Sequence, residues 1–263
     1  MELRDFAYRV VTARDLELKL RPAKDLRQAL RDDEPGEPLR LDAPGRPENL
    51  PIRPGRQVKI PSLEGMGDPR QRARILHALA NHELQAAELF AWALLAFPQA
   101  PSEFRRGLAE ILDDEQRHTR MYIARVEACG SRFGDFPVTG YFWNKVPGIT
   151  SPLHFVAAMS LTFENANLDH TVEHAAAARA AGDVKTAQVI ESIGEDEVRH
   201  VRFGWQWLNH WKGADADAWD TWNAHLEWPL RPIRAKGKEF QRQARLDAGL
   251  DPSFIDRLAA AEE

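Results

Sequence analysis

Apolar residues recur at intervals of three and four along four long stretches of the chain, the spacing that places them on one face of a helix. The stretches run from Leu76 to Phe97, from Phe104 to Val126, from Leu153 to Val172 and from Ile190 to Trp207. The pattern therefore predicts four long amphipathic helices and, with them, an all-α fold.

Helix-breaking residues lie midway between the helices of each pair. Pro98 and Pro101 separate the first helix from the second, and Gly182 lies between the third and the fourth. Each pair is predicted to be a helical hairpin with a tight turn. A long crossover, residues 131–150, joins the two hairpins, and we expect them to pack as a four-helix bundle over residues 69–211.

The sequence Asp-Glu-x-Arg-His occurs twice, at residues 114–118 and 196–200, and places a glutamate and a histidine on one helical face in each copy. One further glutamate precedes the motif glutamate by 32 residues in the first half and by 33 in the second. A hairpin folded at its midpoint would bring each such glutamate level with its motif. The six residues are Glu83, Glu115, His118, Glu164, Glu197 and His200.

All six of these side chains fall within the apolar stripes, so they are predicted to face the interior. An isolated buried carboxylate costs several kcal/mol or becomes neutral, so four of them at one depth require compensating positive charge. Two metal ions would supply that charge. Oxygen-rich ligands with one imidazole for each ion favour iron over zinc, with manganese or a mixed manganese and iron pair as the alternative.

Other acids and histidines on the same helices compete for these roles. Glu88 is the rival of Glu83, and Asp169 and Glu173 are rivals of Glu164, but their spacings to the motifs break the match between the two halves. The face of Glu88 is also less consistently apolar. Four histidines are expected at surface or helix-end positions away from the metal: His77, His82, His170 and His174.

The repeated order of a glutamate followed by Glu-x-x-His resembles the ferritin-like di-iron carboxylate superfamily. The longer form Asp-Glu-x-Arg-His is similar to its oxygen-activating branch, the monooxygenases and ribonucleotide reductase small subunits. The Pro/Arg-rich segment before the bundle and the stretch Pro-Leu-Arg-Pro-Ile-Arg-Ala-Lys-Gly after it resemble the bacterial DUF455 ferritin-like family. The resemblance implies a ferritin-like bundle around a di-iron centre.

The aspartate and arginine of each motif are candidates for support of the ligands. Asp114 and Asp196 lie about 100° around the helix from the ligand glutamates, where each could accept the outer N–H of the opposite hairpin's histidine. Arg117 and Arg199 could neutralise these aspartates, and ordinary surface ion pairs are the alternative.

Tyr122 follows His118 by one helical turn. This spacing resembles that of the radical-bearing tyrosine in ribonucleotide reductase small subunits, which makes Tyr122 a candidate catalytic residue. A core tyrosine whose hydroxyl is satisfied is the alternative.

Two extensions flank the predicted bundle. Residues 1–68 are expected to form short helices, the clearer at 22–30, and then a Pro/Arg-rich extended arm that packs on the bundle through recurrent apolar residues. Residues 212–263 are expected to form a helical extension, with helices at 215–226 and 251–261. A group of tryptophans at the end of the fourth helix and beyond is assigned no site: Trp205, Trp207, Trp211, Trp219, Trp222 and Trp228.

Composition narrows the class of protein. With 263 residues, of which 43% are hydrophobic, the chain can bury a sizeable core, and its net charge of −5 gives no global case for binding nucleic acid. One cysteine, Cys129, excludes a disulfide framework and fits the cytoplasm. No apolar run approaches the length of a membrane span, so we expect no membrane association.

These observations predict a non-haem di-iron oxidase or hydroxylase. It would use O₂, an unidentified organic substrate and an electron donor protein or small reductant, and a homodimer is left open. A ferroxidase or a rubrerythrin-like peroxidase is disfavoured by the long extensions and the single cysteine. A further alternative is an RNA-directed hydroxylase or an RNA or protein interaction module that uses basic residues of the arm and tail, the latter being Arg231, Arg234, Lys236, Lys238, Arg242 and Arg245.

Overall fold

The computed structural model is mainly helical, which confirms the predicted all-α class. It describes residues 1–22, 30–227 and 229–262, so most of the helix predicted at 22–30, and Trp228, lie outside the described residues. The chain divides into two compact units, Met1–Pro147 and Gly148–Glu263.

The first unit is built around one long helical hairpin. Helices α1 (Leu3–Thr12) and α2 (Leu16–Leu20) precede the hairpin helices α3 (Pro69–Ala96) and α4 (Ser102–Ala128). A parallel pair of two-residue strands, β1 (Ile52–Arg53) and β2 (Val138–Thr139), joins segments on either side of the hairpin.

Local sequence signals define both ends of α3. Asp68 caps its first turn by accepting a hydrogen bond from the backbone N–H of Gln71, and Pro69 occupies the first helical position. At the hairpin turn the buried Arg105 donates to the carbonyl of Leu94 at 2.8 Å and so joins α4 to the end of α3. The predicted turn around Pro98 and Pro101 is therefore present, and α3 and α4 run antiparallel.

The N-terminal arm is hydrogen-bonded to α3. The backbone N–H of Leu39 donates to the carbonyl of Leu95 at 2.9 Å, and the indole of Trp92 donates to the carbonyl of Leu41 at 3.0 Å. Of the apolar arm residues that suggested this packing, Leu50 is fully buried, whereas Ile60 is 48% exposed. Hydrogen bonds therefore add to the apolar contacts that the pattern of the arm predicts.

The second unit contains another hairpin and a helical tail. Its elements are α5 (Pro152–Ala158), a π-helical segment (Met159–Glu164), α6 (Asn165–Ala180), α7 (Val184–Trp211), α8 (Ala218–Ala224), α9 (Arg242–Asp247) and α10 (Pro252–Ala259). The first three are continuous, so the predicted third helix is present but is not a regular α-helix throughout.

The turn between α6 and α7 has the residues that such a turn requires. Gly182 has a φ of +77°, a left-handed conformation that glycine adopts without strain, and the backbone N–H of Asp183 bonds back to Ala178. The Asp183 side chain then caps α7 by accepting from the backbone N–H of Thr186. The predicted reversal at Gly182 is therefore present.

Two glycines let α7 approach the preceding helix closely. A Cβ atom on Gly204 would lie 2.3 Å from the Cβ of Ser160, and one on Gly194 would lie 2.7 Å from the hydroxyl of Thr171. At Gly204 this distance excludes any side chain unless the helices separate, and at Gly194 the Thr171 hydroxyl would have to move. Glu197 and His200 lie between these two close contacts.

The tail packs on the second hairpin through aromatic side chains. Trp205 of α7, Trp222 of α8 and Phe254 of α10 are buried, and both indole rings lie 5.1 Å from the Phe254 ring, centroid to centroid. These tryptophans therefore fill a hydrophobic core, which is the ordinary role of large aromatic residues.

The boundary between the two compact units falls inside the crossover. The arm belongs to the same unit as the first hairpin, and the tail belongs to the same unit as the second. The predicted division into arm, bundle and tail at residues 68 and 211 stays a prediction. Among the helices that the structure describes, none combines the length and apolar character needed to cross a membrane.

Candidate metal centre

The first hairpin brings Glu83, Glu115 and His118 together. All three are buried, with exposed fractions of 5%, 0% and 0%. The Nδ1 atom of His118 lies 3.6 Å from Glu83 Oε2 and 3.7 Å from Glu115 Oε2, and each residue offers one ligand atom within 4.8 Å of the other two. These residues, the first acid-histidine set, form a group that could hold a metal ion.

The second hairpin brings Glu164, Glu197 and His200 together in the same way. Their exposed fractions are 2%, 0% and 0%, and ligand atoms of the three again lie within 4.8 Å of one another. The Nδ1 atom of His200 is 3.1 Å from Glu197 Oε2, which is within hydrogen-bond distance. The distance between the histidine and the glutamate of the motif is therefore shorter in this second acid-histidine set than in the first.

The donor atoms of each set fit a cation. Two carboxylates face one imidazole, so that even a protonated histidine would leave each set with a net negative charge. Oxygen donors combined with one imidazole suit iron or manganese, while structural zinc sites are richer in nitrogen or sulfur. In both sets Nδ1 is the ring nitrogen that faces the carboxylates.

Glu164 is the last residue of the π-helical segment, a feature that the apolar periodicity does not predict. Single π-turns within α-helices occur frequently at functional sites. Just before the segment, the carbonyl of Ala157 accepts hydrogen bonds from the Thr162 hydroxyl at 2.7 Å and from the Trp222 indole at 3.1 Å. Side chains thus stabilise the backbone next to the irregular turn on which Glu164 is placed.

Asn167 lies beside the second acid-histidine set and was not predicted from the sequence. Its side-chain Nδ2 lies 3.4 Å from Glu164 Oε2 and 3.2 Å from Glu197 Oε1. The signal available in the sequence was its position, three residues after Glu164 and hence one turn along the same face.

Glu88, the rival of Glu83, has a different role. It is fully buried and accepts from Arg46 at 2.7 Å, from the Trp143 indole at 2.9 Å, and pairs with the buried Lys19 at 3.0 Å. Burial lowers the pKa of Lys19, and the Glu88 carboxylate opposes that shift. Glu88 therefore ties α2, the arm and the crossover to α3.

Asp169 and Glu173, the rivals of Glu164, bind the C-terminal tail. Asp169 is fully buried and receives both terminal nitrogens of Arg245 at 2.7 and 2.9 Å, together with the backbone N–H groups of Gly237 and Gln241. Glu173 accepts from the backbone N–H groups of residues 238 and 239. Glu88 and Asp169 each lie five residues after the isolated glutamate of their own half, so the two halves share this arrangement.

The four histidines that were predicted to lie away from the metal divide into two groups. His77 was expected at the surface or at a helix end but lies within α3 and is 1% exposed. This expectation is wrong because Phe133 and Phe136 enclose its ring and the backbone N–H of Gly134 donates to its Nε2. Burial lowers the pKa of His77 to about 4. The other three are half-buried: His82, His170 and His174.

The aspartate and arginine of each motif pair with each other one helical turn apart. Arg117 donates to Asp114 at 2.8 Å on α4, and Arg199 donates to Asp196 on α7. Both arginines are substantially exposed. The proposed contact of each aspartate with a histidine of the opposite hairpin stays a prediction.

Tyr122 is buried, with an exposed fraction of 2%, and follows His118 by one turn of α4. This position is compatible with both alternatives for Tyr122, a redox role and a core role.

Several basic residues of the tail contribute to its internal structure. Arg245 is buried against Asp169, Arg242 pairs with Asp256, and the Lys236 ammonium donates to the carbonyl of Ala259. Fewer of these charges are available to an RNA backbone than the sequence indicates. Nucleic-acid binding stays a prediction without a specific observation in its favour.

Comparison with known proteins identifies the family but no characterised relative. No curated protein and no solved structure matches the chain. Residues 12–256 match the family described as "Protein of unknown function (DUF455)". Since this match spans nearly the whole chain, including the arm, both hairpins and most of the tail, the protein belongs to the DUF455 family.

Proposed function

We propose that this protein is a ferritin-like non-haem di-iron oxidase or hydroxylase. The observation that carries the proposal is the presence of two buried sets, each with two glutamates and one histidine whose ligand atoms lie within 4.8 Å of one another. We propose one ion for each set and pairing of the two ions in a ferritin-like four-helix bundle. Support for the pairing comes from the duplicated motif and its matched spacing in the sequence.

Iron is the proposed metal, with manganese or a mixed pair as the alternative. When bound, a pair of ferrous ions supplies electrons to O₂. The protein's own contribution is to hold the ions with buried oxygen donors and to keep water away by the apolar residues around them. The reducing compartment expected from the single cysteine would maintain ferrous iron.

The proposed reaction needs three partners: O₂, an organic substrate and an electron donor. Tyr122 is the candidate for a redox role beside the ligands, because it is buried one turn after His118. Replacement by phenylalanine would remove only the hydroxyl. Loss of turnover in Tyr122→Phe with unchanged metal content would support that role, whereas full turnover would leave Tyr122 as a core residue.

Metal analysis of aerobically purified protein tests the proposal directly. We expect about two iron ions per chain in the wild type and a reduced content in Glu164→Ala. Asp169→Asn is the matched control, with metal counted per folded chain, because loss of the buried pair with Arg245 also destabilises the protein. Zinc alone, no metal, or equal loss in both variants would contradict the proposal.

Oxygen uptake separates an oxidase from a storage protein. With a chemical reductant present, the iron-loaded wild type should consume O₂, and Glu115→Ala should not. Continued iron uptake far beyond two ions per chain, in place of catalytic O₂ consumption, would indicate a ferroxidase and overturn the oxidase assignment.

A further inference from the structure

The side chain of Asn167 joins the two carboxylates of the second acid-histidine set. Its Nδ2 donates to Glu197 Oε1 at 3.2 Å and, at the long end of the hydrogen-bond range, to Glu164 Oε2 at 3.4 Å. A carboxamide nitrogen carries two hydrogens, so both bonds can be made at once. Asn167 thereby links a ligand of the π-helical segment to a ligand of α7.

Both oxygens of Glu197 are engaged within this set. Oε1 receives Asn167, and Oε2 lies 3.1 Å from His200 Nδ1. A carboxylate held at both oxygens has little freedom to rotate. In the first set the corresponding histidine-to-glutamate distance, from His118 Nδ1 to Glu115 Oε2, is 3.7 Å, beyond an ordinary hydrogen bond.

The helix that carries Asn167, α6, packs closely on α7 one turn beyond this residue. The backbone carbonyl of Asn167 accepts a hydrogen bond from the hydroxyl of Thr171 at 2.7 Å. That hydroxyl occupies the space left by the missing side chain of Gly194, where a Cβ would lie 2.7 Å from it. The amide is thus presented to the carboxylates from a helix whose distance to α7 is fixed one turn away.

The corresponding position in the first half of the chain holds no amide. The position three residues after Glu83 is Ala86, a buried residue whose methyl group cannot donate a hydrogen bond. The duplication that gives both halves a glutamate and a Glu-x-x-His motif is therefore broken at this position. The two sets therefore have the same ligand types but differ in the residue at this position.

We propose that Asn167 is a positioning residue that makes the two metal positions unequal, so that the position at Glu164, Glu197 and His200 fills first and binds its ion more tightly. The inference rests on the proposed function, because it requires one ion in each set. Fixed carboxylates lose less freedom when an ion binds, and groups that hydrogen-bond to ligands typically contribute a factor of about 10 to 100 in metal affinity.

Titration of metal-free protein with Mn(II) tests the inference, with calorimetry for affinity and electron paramagnetic resonance for the state of the bound ion. The wild type should bind in two steps. Asn167→Leu, which keeps the approximate shape but has no donor, should weaken the tight step by about 10- to 100-fold and leave the weak step within about threefold. Asn167→Gln, which retains a carboxamide, should recover part of the loss.

Three further variants identify the steps and control for general effects. Glu164→Ala should remove the tight step and Glu83→Ala the weak one. Asn209→Ala should change neither, because the amide of Asn209 donates to the backbone carbonyl of Trp205 on the same helix. Circular dichroism of each variant establishes that the helices are retained.

The outcomes separate this inference from the proposed function. Wild-type protein that binds no Mn(II) and no Fe(II) would overturn both. A wild type with two steps and an unchanged Asn167→Leu isotherm would overturn only the role of Asn167. Equal weakening of both steps, or removal of the weak step by Glu164→Ala, would also overturn it, since the effect would then be structural or located at the other set.

Discussion

Asp169 and Arg245 form a fully buried ion pair in which both carboxylate oxygens meet a terminal nitrogen of the guanidinium group, at 2.7 and 2.9 Å. Arg245 also donates to the carbonyl of Asn165, the residue that follows Glu164. The pair therefore joins α9 of the tail to the start of α6. Its contribution to folding can be measured separately from metal binding.

Replacement of Arg245 by alanine should destabilise the protein by about 3 to 5 kcal/mol, because it leaves the buried carboxylate of Asp169 without its partner. Urea unfolding of the metal-free protein measures this change. Arg242→Ala is the control: its pair with Asp256 is exposed, so the loss should be at most about 1 kcal/mol. Equal effects of the two substitutions would contradict a structural role for the buried pair.

Replacement by alanine should reduce metal binding at Glu83 and folding stability at Glu88. Glu88→Ala leaves the buried Lys19 without its carboxylate partner and should cost about 3 to 5 kcal/mol in the free energy of unfolding. The folded fraction should keep its full metal content. Glu83→Ala should lose metal instead.

Metal content per folded chain, measured together with urea unfolding, distinguishes these two outcomes. The control is Glu103→Ala at the exposed start of α4, which should alter neither quantity appreciably. Loss of metal in Glu88→Ala with retention in Glu83→Ala would reverse the assignment of the two acids.

Gly204 should be far less tolerant of alanine than Gly213. A Cβ at Gly204 would lie 2.3 Å from the Cβ of Ser160, so α7 and the π-helical segment would have to separate. Overpacking of this kind costs about 1 to 3 kcal/mol, more than the roughly 1 kcal/mol that alanine gains over glycine in a helix. Thermal unfolding should show a lower midpoint for Gly204→Ala.

Gly213→Ala provides the comparison within the same unit, because the nearest atom to its added Cβ would be 3.8 Å away, an ordinary contact. Its midpoint should stay close to that of the wild type. We also expect weaker metal binding in Gly204→Ala, because Glu197 and His200 precede this glycine by two turns or less on the same helix. A wild-type midpoint for Gly204→Ala would show that the helices can separate there without cost.

The stability of the protein should fall in mildly acidic solution partly because of His77. Burial lowers the pKa of His77 to about 4, with Asp135 as an opposing charge, while an unfolded histidine titrates near 6.5. Between these values the unfolded chain binds the additional proton. The contribution of His77 to the free energy of unfolding is therefore complete above about pH 6.5. It is lost as the pH falls towards 4, by up to about 3 kcal/mol.

Urea unfolding of metal-free wild type and His77→Gln between pH 4 and pH 7 isolates this contribution. Glutamine can still accept the backbone N–H of Gly134 through its carbonyl oxygen, but it does not titrate. The difference in unfolding free energy between the two proteins should therefore change with pH. A constant difference across this range would show that His77 is not responsible.

The local sequence pattern predicted much of the helical structure of this protein. The apolar period of α3, α4, α6 and α7, the breakers between the paired helices and the placement of each Glu-x-x-His motif follow from the geometry of a single helix or hairpin. Such features depend on residues a few positions apart or on the symmetry of a turn. For the same reason, Glu83 with His118, and Glu164 with Glu197, could be predicted to face each other.

Tertiary structure decided which buried acids serve other purposes and what supports each ligand. Glu88 pairs with Arg46, 42 residues away, and Asp169 pairs with Arg245, 76 residues away. Helical periodicity does not predict contacts between residues so far apart in the sequence. The backbone next to the π-helical segment likewise accepts a hydrogen bond from Trp222, 65 residues beyond Ala157. Sequence alone determined the helices and their candidate ligands, because helical periodicity is local. The folded chain decided which partner each buried polar group has, because burial forces such a group to pair with whatever distant segment packs against it.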